Sequence, residues 1–178
     1  PLLIVVSAPS GAGKTTLCDL LLSRHDEIVY SVSCTTRAPR GNEAQGTDYF
    51  FLSNDEFAEK LGRGEFLEHA LVHDHHYGTL KSTLLDAFDI GKSVLMDIDV
   101  QGAAQVRQFV ENAPPTDRLN QAFVDIFIEP PSMAALAERL RSRGEDAEDV
   151  IERRLKNAEI EMARRGHYRY RIVNADLD

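Results

Sequence analysis

Eight residues near the start of the chain, Ala8-Pro9-Ser10-Gly11-Ala12-Gly13-Lys14-Thr15, constrain its fold more than any others. They follow the short apolar run Leu2–Val6 and precede a helix-like segment that opens at Thr15-Thr16-Leu17. A strand, a Gly-rich turn and a helix start in that order form a phosphate-binding loop. Gly11 and Gly13 lack a Cβ, so the backbone can curl and aim its N–H groups at a polyphosphate. The helix that follows points the positive end of its dipole at the same anion. Lys14 can reach the β- and γ-phosphates, and the Thr15 hydroxyl can ligate Mg²⁺. The generic motif begins with Gly, and this chain has Ala8 there.

With 178 residues, the chain can hold one α/β core carrying small inserted subdomains. Its net charge of −9 argues against generic nucleic-acid binding, although the charge at a phosphate site is local. Arginines gather at Arg37 and Arg40, and again between Arg139 and Arg154. Cys18 and Cys34 give no disulfide framework and fit a reducing, cytoplasmic setting. No apolar run reaches the length of a membrane span, and no signal-peptide pattern precedes the first strand. The chain opens on Pro1 rather than Met and stops at Asp178, so both ends read as open.

Apolar runs at Leu2–Val6, Val94–Ile98, Phe123–Ile128 and Arg171–Val173 read as buried strands. Helical patterns lie between them at Thr15–His25, Ser82–Ile90, Gln101–Asn112, Ser132–Arg143 and Glu148–Arg165. Alternating strands and helices predict an α/β fold with a central parallel sheet covered on both faces. Residues 34–79 break the rhythm. They hold an Arg-containing loop, strand-like Tyr49–Leu52, and a short helix opened by the capping box Ser53-Asn54-Asp55-Glu56. Strand-like Phe66–His69 and Val72–Tyr77 follow, so the segment reads as a small inserted α+β lobe. Residues 136–154 read as a polar, Arg-rich helical hairpin suited to a mobile lid, and 112–121 as a long polar loop. The core is then expected to comprise 1–33, 80–135 and 155–178.

Several ordered motifs together are far more specific than a lone phosphate loop. They include Ser31-Val32-Ser33-Cys34-Thr35-Thr36-Arg37-Ala38-Pro39-Arg40, Gly46-Thr47-Asp48-Tyr49-Phe50-Phe51 and Phe66-Leu67-Glu68-His69-Ala70. Tyr77-Gly78-Thr79, Asp97-Ile98-Asp99-Val100-Gln101-Gly102 and Arg139-Leu140-Arg141-Ser142-Arg143-Gly144 continue the series. With the phosphate loop, this set resembles guanylate kinases of the bacterial type over essentially the whole chain. The resemblance accounts for Ala8, since the family has an Ala form of the loop. It implies a P-loop NTPase three-layer fold, with 34–79 as a GMP-binding lobe and 136–154 as a lid. The implied reaction is transfer of the γ-phosphoryl group of Mg-ATP to GMP.

Site residues follow from the same resemblance. The loop Ala8, Pro9, Ser10, Gly11, Ala12, Gly13, Lys14, Thr15 and Thr16 would bind ATP, with Asn174 beside adenine. Arg37, Arg40 and the Tyr49 and Tyr77 hydroxyls would hold the GMP phosphate; guanidinium forks and uncharged phenols suit a dianion. Glu68 would read guanine, assisted by Ser33, Thr79 and Asp99. A carboxylate accepts from both N1–H and N2–H₂ of guanine, whereas adenine would leave it unpaired at about 1–3 kcal/mol or more. Thr79 stands where serine is common and keeps the hydroxyl. Asp97 with Thr15 would serve Mg²⁺, and Lys14, Arg40, Arg139, Arg143 and Arg154 would stabilise charge on the transferring group.

Other features carry less. His69, His73, His75 and His76 lack a metal-ligand spacing, and Cys34 reads as packing rather than as a nucleophile. Asp99-Val100-Gln101-Gly102 fits a GTPase switch pattern, but the chain has no N-K-x-D. A related kinase acting on a phosphorylated sugar and a non-enzymatic peptide-binding module are the alternatives. Glu68, Thr79 and Asp99 favour guanine over a sugar, and the intact phosphate loop speaks against the module. The expected partners are ATP and GMP, without nucleic acid or membrane; the sequence leaves the oligomeric state open.

Overall fold

Leu3, Ile4, Val5, Val6 and Ser7 are all buried, as a strand with helices on both faces must be. This strand, β1 (Leu3–Ser7), is the middle of a five-stranded parallel sheet in the computed structural model, which describes residues 1–142, 144 and 146–175. The flanking strands are β2 (Ile28–Tyr30), β7 (Ser93–Asp97), β8 (Phe123–Glu129) and β9 (Tyr170–Val173), in the order β2-β7-β1-β8-β9. Register places Val6 beside Asp97, which brings the end of β7 next to the phosphate loop.

The period-two alternation of β1 divides the core into two layers. Leu3 and Val5 pack with Leu84 and Phe88 of α3 (Lys81–Asp89), Val106 of α4 (Val100–Asn112), and Phe127. Ile4 and Val6 face the other way, toward Cys18, Leu17 and Leu21 of α1 (Lys14–Arg24). A separate apolar seam joins α6 (Met133–Ser142) to α7 (Glu148–Ala163) through Leu136, Leu140, Ile151 and Ala158. A 3₁₀ turn, Arg165–His167, ends the stretch expected to be helical to Arg165.

A second sheet is built from β3 (Cys34–Thr35), β4 (Phe50–Phe51), β5 (Phe66–Val72) and β6 (His75–Leu80), in the order β4-β3-β6-β5. Its helix, α2 (Asn54–Gly62), begins with the expected capping box: Ser53 and Glu56 bond each other's backbone N–H reciprocally. Phe57 of this helix stacks on Phe66 at 4.3 Å, over the buried Cys34. Burial pushes both thiols up to about 11, in keeping with packing roles.

Two sequence expectations change, and two strands arise where none was expected. The run Val72–Tyr77 is not one strand: His73 and Asp74 adopt positive φ (49° and 64°) and turn the chain, so Val72 pairs with His75. A two-residue turn with both central residues left-handed matches the twist of the hairpin, and Asp and His tolerate that conformation better than most. The loop 112–121 contains a short helix, α5 (Arg118–Ala122), capped by Asp117, whose carboxylate accepts from the Leu119 and Asn120 N–H groups. Strands β2 and β3 had no signal of their own. Three and two residues are too few for periodicity, and both form only because neighbouring strands offer an edge.

Candidate active site

The phosphate loop leaves β1 and enters α1 through two left-handed glycines, Gly11 at φ +92° and Gly13 at φ +88°. Gly11 is needed twice over, because a Cβ there would come within 2.9 Å of Leu140 and 3.0 Å of Leu136 on α6. Ala8 is buried and is absent from the positive-φ residues, so its Cβ is accommodated without strain. No acidic residue occupies the first turn of α1, and no side chain caps it, which leaves its N–H groups open to an anion.

Ala8, Pro9, Ser10, Gly11, Gly13, Lys14, Thr15 and Thr16 line a cavity of about 360 Å³ together with Asp99 and Glu161. Lys14 forms an ion pair with Asp97. The Thr15 hydroxyl and the Asp97 carboxylate are hard oxygen donors of the kind Mg²⁺ takes. Among the described residues no group of three or more His, Cys, Asp or Glu could hold a metal by itself. Such a site suits an ion that arrives on phosphate oxygens and keeps several waters.

A second cavity, of about 240 Å³, opens between the two sheets. Its walls include Ser33, Tyr49, Glu68, Tyr77, Asp97 and Asp99, so it meets the phosphate-loop cavity at Asp99. Glu68, on β5, is 7% exposed, and the Thr79 hydroxyl donates to its Oε1 at 2.7 Å. Gly102 of α4 stands against it; a Cβ there would approach Glu68 Oε2 to 3.2 Å. Burial, reinforced by the nearby Asp99 charge, raises the Glu68 carboxyl above its ordinary range, against the lowering effect of Thr79. Asp99 is the N-cap of α4 and accepts from Gln101 N–H at 2.9 Å and Gly102 N–H at 2.7 Å.

At the rim, Arg37 is buried and lies 5.4 Å from the centre of the Tyr49 ring. The Tyr49 and Tyr77 rings meet edge-on at 6.0 Å. Arg37 also makes a fork-to-fork pair with Glu43, both N–O distances being 2.9 Å, and this holds its guanidinium firmly charged. Glu43 accepts a third bond from the Arg40 backbone N–H at 2.8 Å, while the Arg40 side chain is exposed.

Arg139, Arg154 and Asn174 are not among the residues that line either cavity. Arg139 donates to the carbonyl oxygens of Asn174 and Ala175 at 2.8 and 2.9 Å. Arg154 pairs with Asp146 at 3.0 Å. Asn174 is buried behind the phosphate loop, where its side-chain amide donates to the Ala12 carbonyl at 2.8 Å. Arg143 lies outside the described residues.

Two participants were absent from the sequence reading. Glu43 is the acidic residue that follows Arg37 and Arg40 in their loop, and that proximity was the available signal. Glu161 sits on α7 seven residues after Arg154, on the same helical face, so helical spacing from that arginine would have found it. Burial beside Asp99 raises its carboxyl, opposed by Lys14 and the Ser10 backbone.

Comparison with known proteins agrees with this geometry. The guanylate kinase family model matches residues 2–178. The guanylate kinase of Thermosynechococcus vestitus is 46% identical, over 99% of this chain and 87% of its own. That of Thermotoga maritima is 44% identical, over 99% of this chain and 80% of its own. A crystal structure of guanylate kinase from Anaplasma phagocytophilum superposes with a TM-score of 0.66 at 38% identity, covering 98% of this chain and 77% of that one. A family match over nearly the whole length, with a phosphate loop and a buried glutamate in adjoining cavities, places the chain in the guanylate kinase family.

Proposed function

We infer that the chain transfers the γ-phosphoryl group of Mg-ATP to GMP, giving ADP and GDP by direct in-line displacement. The observation that carries this reading is Glu68: a buried carboxylate, oriented by Thr79, in a cavity that meets the phosphate loop at Asp99. Its acceptor-only chemistry matches the paired N1–H and N2–H₂ donors of guanine. Arg37, Arg40, Tyr49 and Tyr77 hold the GMP phosphate, with Glu43 keeping the Arg37 fork in place. Ser33, Thr79 and Asp99 complete the base contacts. The phosphate loop from Ala8 to Thr16 takes the ATP phosphates, and Lys14 places its charge against the transferring group. Mg²⁺, held by the nucleotide with Thr15 and Asp97 nearby, supplies charge neutralisation at the phosphates.

Residues 34–79 form the GMP lobe and 136–154 the lid. Arg139, Arg143 and Arg154 reach the phosphates once the lid closes, which requires Arg154 to leave Asp146 and Arg139 to leave the carbonyls of Asn174 and Ala175. Closure excludes water, so that the donor is not hydrolysed. No covalent intermediate is required; alignment and charge account for the catalysis. The test is ADP release from Mg-ATP with GMP, AMP, CMP, UMP or no acceptor. Turnover with GMP alone is expected, with loss of at least about a thousandfold in Lys14→Ala while GMP still binds. ADP release without an acceptor, or equal turnover with AMP, would overturn the reading.

A further inference from the structure

The charges around the phosphate loop do not suit a bare polyphosphate. Of the residues lining that cavity, Lys14 is cationic, whereas Asp99 and Glu161 are acidic, and Lys14 is already paired with Asp97. Arg139 and Arg154, the described residues among the arginines expected to reach the phosphates, are held on other partners. Metal-free ATP, with about four negative charges at neutral pH, would enter a cavity whose own lining is net acidic. Like charges in contact repel, and they do so several times more strongly in partly buried surroundings than in water. A divalent ion on the phosphates reverses the sign of that local interaction.

Glu161 is the acidic member of this lining whose contact is with the phosphate loop itself, through the Ser10 backbone N–H. Asp99 caps α4, and Asp97 neutralises Lys14. Glu161 projects from α7 into the phosphate-loop cavity and also borders an adjoining cavity of about 300 Å³, lined by Asp99, Gln101, Asn157 and Arg164. Its carboxylate therefore stands against the loop, where phosphate oxygens would also seek the backbone N–H groups. We propose that Glu161 is a specificity-determining residue that makes this cavity select the metal-loaded nucleotide over the free one. Its carboxylate repels bare phosphate oxygens and attracts the ion, or a water held by the ion, when the nucleotide brings one. This inference rests on the reading of the phosphate loop as the ATP site.

The readout is binding rather than turnover. Affinity for the non-hydrolysable analogue AMP-PNP is measured by calorimetry at pH 8, with Mg²⁺ and with EDTA, in wild type and in Glu161→Gln. The Gln variant keeps the size and one acceptor oxygen but removes the charge. The factor by which Mg²⁺ strengthens binding is expected to fall about tenfold, mainly because the metal-free analogue binds more tightly. Glu159→Gln, on the exposed side of the same helix, makes the same change in net charge and is expected to leave that factor within twofold. An unchanged factor in Glu161→Gln, or an equal change in Glu159→Gln, overturns the inference. Failure of wild type to bind the analogue in either condition overturns the ATP-site reading instead.

Discussion

At the scale of single residues, the site depends on carboxylates with different duties. Glu68 is held above the ordinary carboxyl range by burial. Because its folded-state pKa is raised, its protonation contributes stability at low pH, and that contribution is lost as the pH rises through the raised value. Guanine binding needs the ionised form, so GMP affinity should fall as the pH drops through the same range. The expected result is a GMP dissociation constant that climbs toward pH 5 more steeply in wild type than in Glu68→Gln. Calorimetry on both proteins checks it, since their difference removes the titration of the GMP phosphate itself. Glu43 acts at one remove, through Arg37. Glu43→Gln should raise the KM for GMP by about tenfold with little change in the KM for ATP, because one charge-assisted pair is replaced by a neutral one. Initial-rate kinetics with each substrate varied in turn would show it. The motifs made Glu68 and Arg37 legible; Glu43 was not, because a carboxylate six residues along a loop has no fixed direction until the loop folds.

At the scale of elements, the cavity between the two sheets is held together by close backbone approaches. Gly78 on β6 pairs with His69 across the hairpin, and a Cβ there would lie 2.9 Å from the Glu68 carbonyl oxygen and 2.9 Å from the Phe66 ring. The neighbours are main chain and a buried ring, so neither can yield easily. Gly78→Ala should therefore destabilise the protein by about 1–3 kcal/mol and weaken GMP binding together, through displacement of β5. Urea unfolding and GMP titration on the same variant measure both effects. Long apolar or amphipathic segments were readable: β1, β7, β8, α4 and α7 stand within a few residues of their expected positions. Short ones were not. β2, β3 and α5 span three, two and five residues, lengths at which hydrophobic periodicity carries almost no information. Asp117, followed by helix-compatible residues, was the one local cue for α5.

At the scale of the whole molecule, two cavities share Asp99, and ligands that bridge them should stabilise the fold by mass action. Each ligand at a hundred times its dissociation constant adds about 2.7 kcal/mol. For a chain of this size that is roughly 5–10 °C in Tm. GMP and Mg-bound AMP-PNP should each raise Tm by this order, and Lys14→Ala should lose the analogue's share while keeping that of GMP. Thermal melts with either ligand, and with both, test it. The phosphate loop and the parallel sheet were determined by the sequence alone, because each is encoded by residues adjacent in the chain or by a periodic run, and Glu68 became a candidate through the motif that surrounds it. Tertiary structure decided the rest. It turned the chain at His73-Asp74, tied Asn174 to Ala12 across nearly the whole length of the chain, and set Glu161 against the phosphate loop. These arrangements arise from long-range packing and from the charges that packing brings together, and neither is written in local spacing.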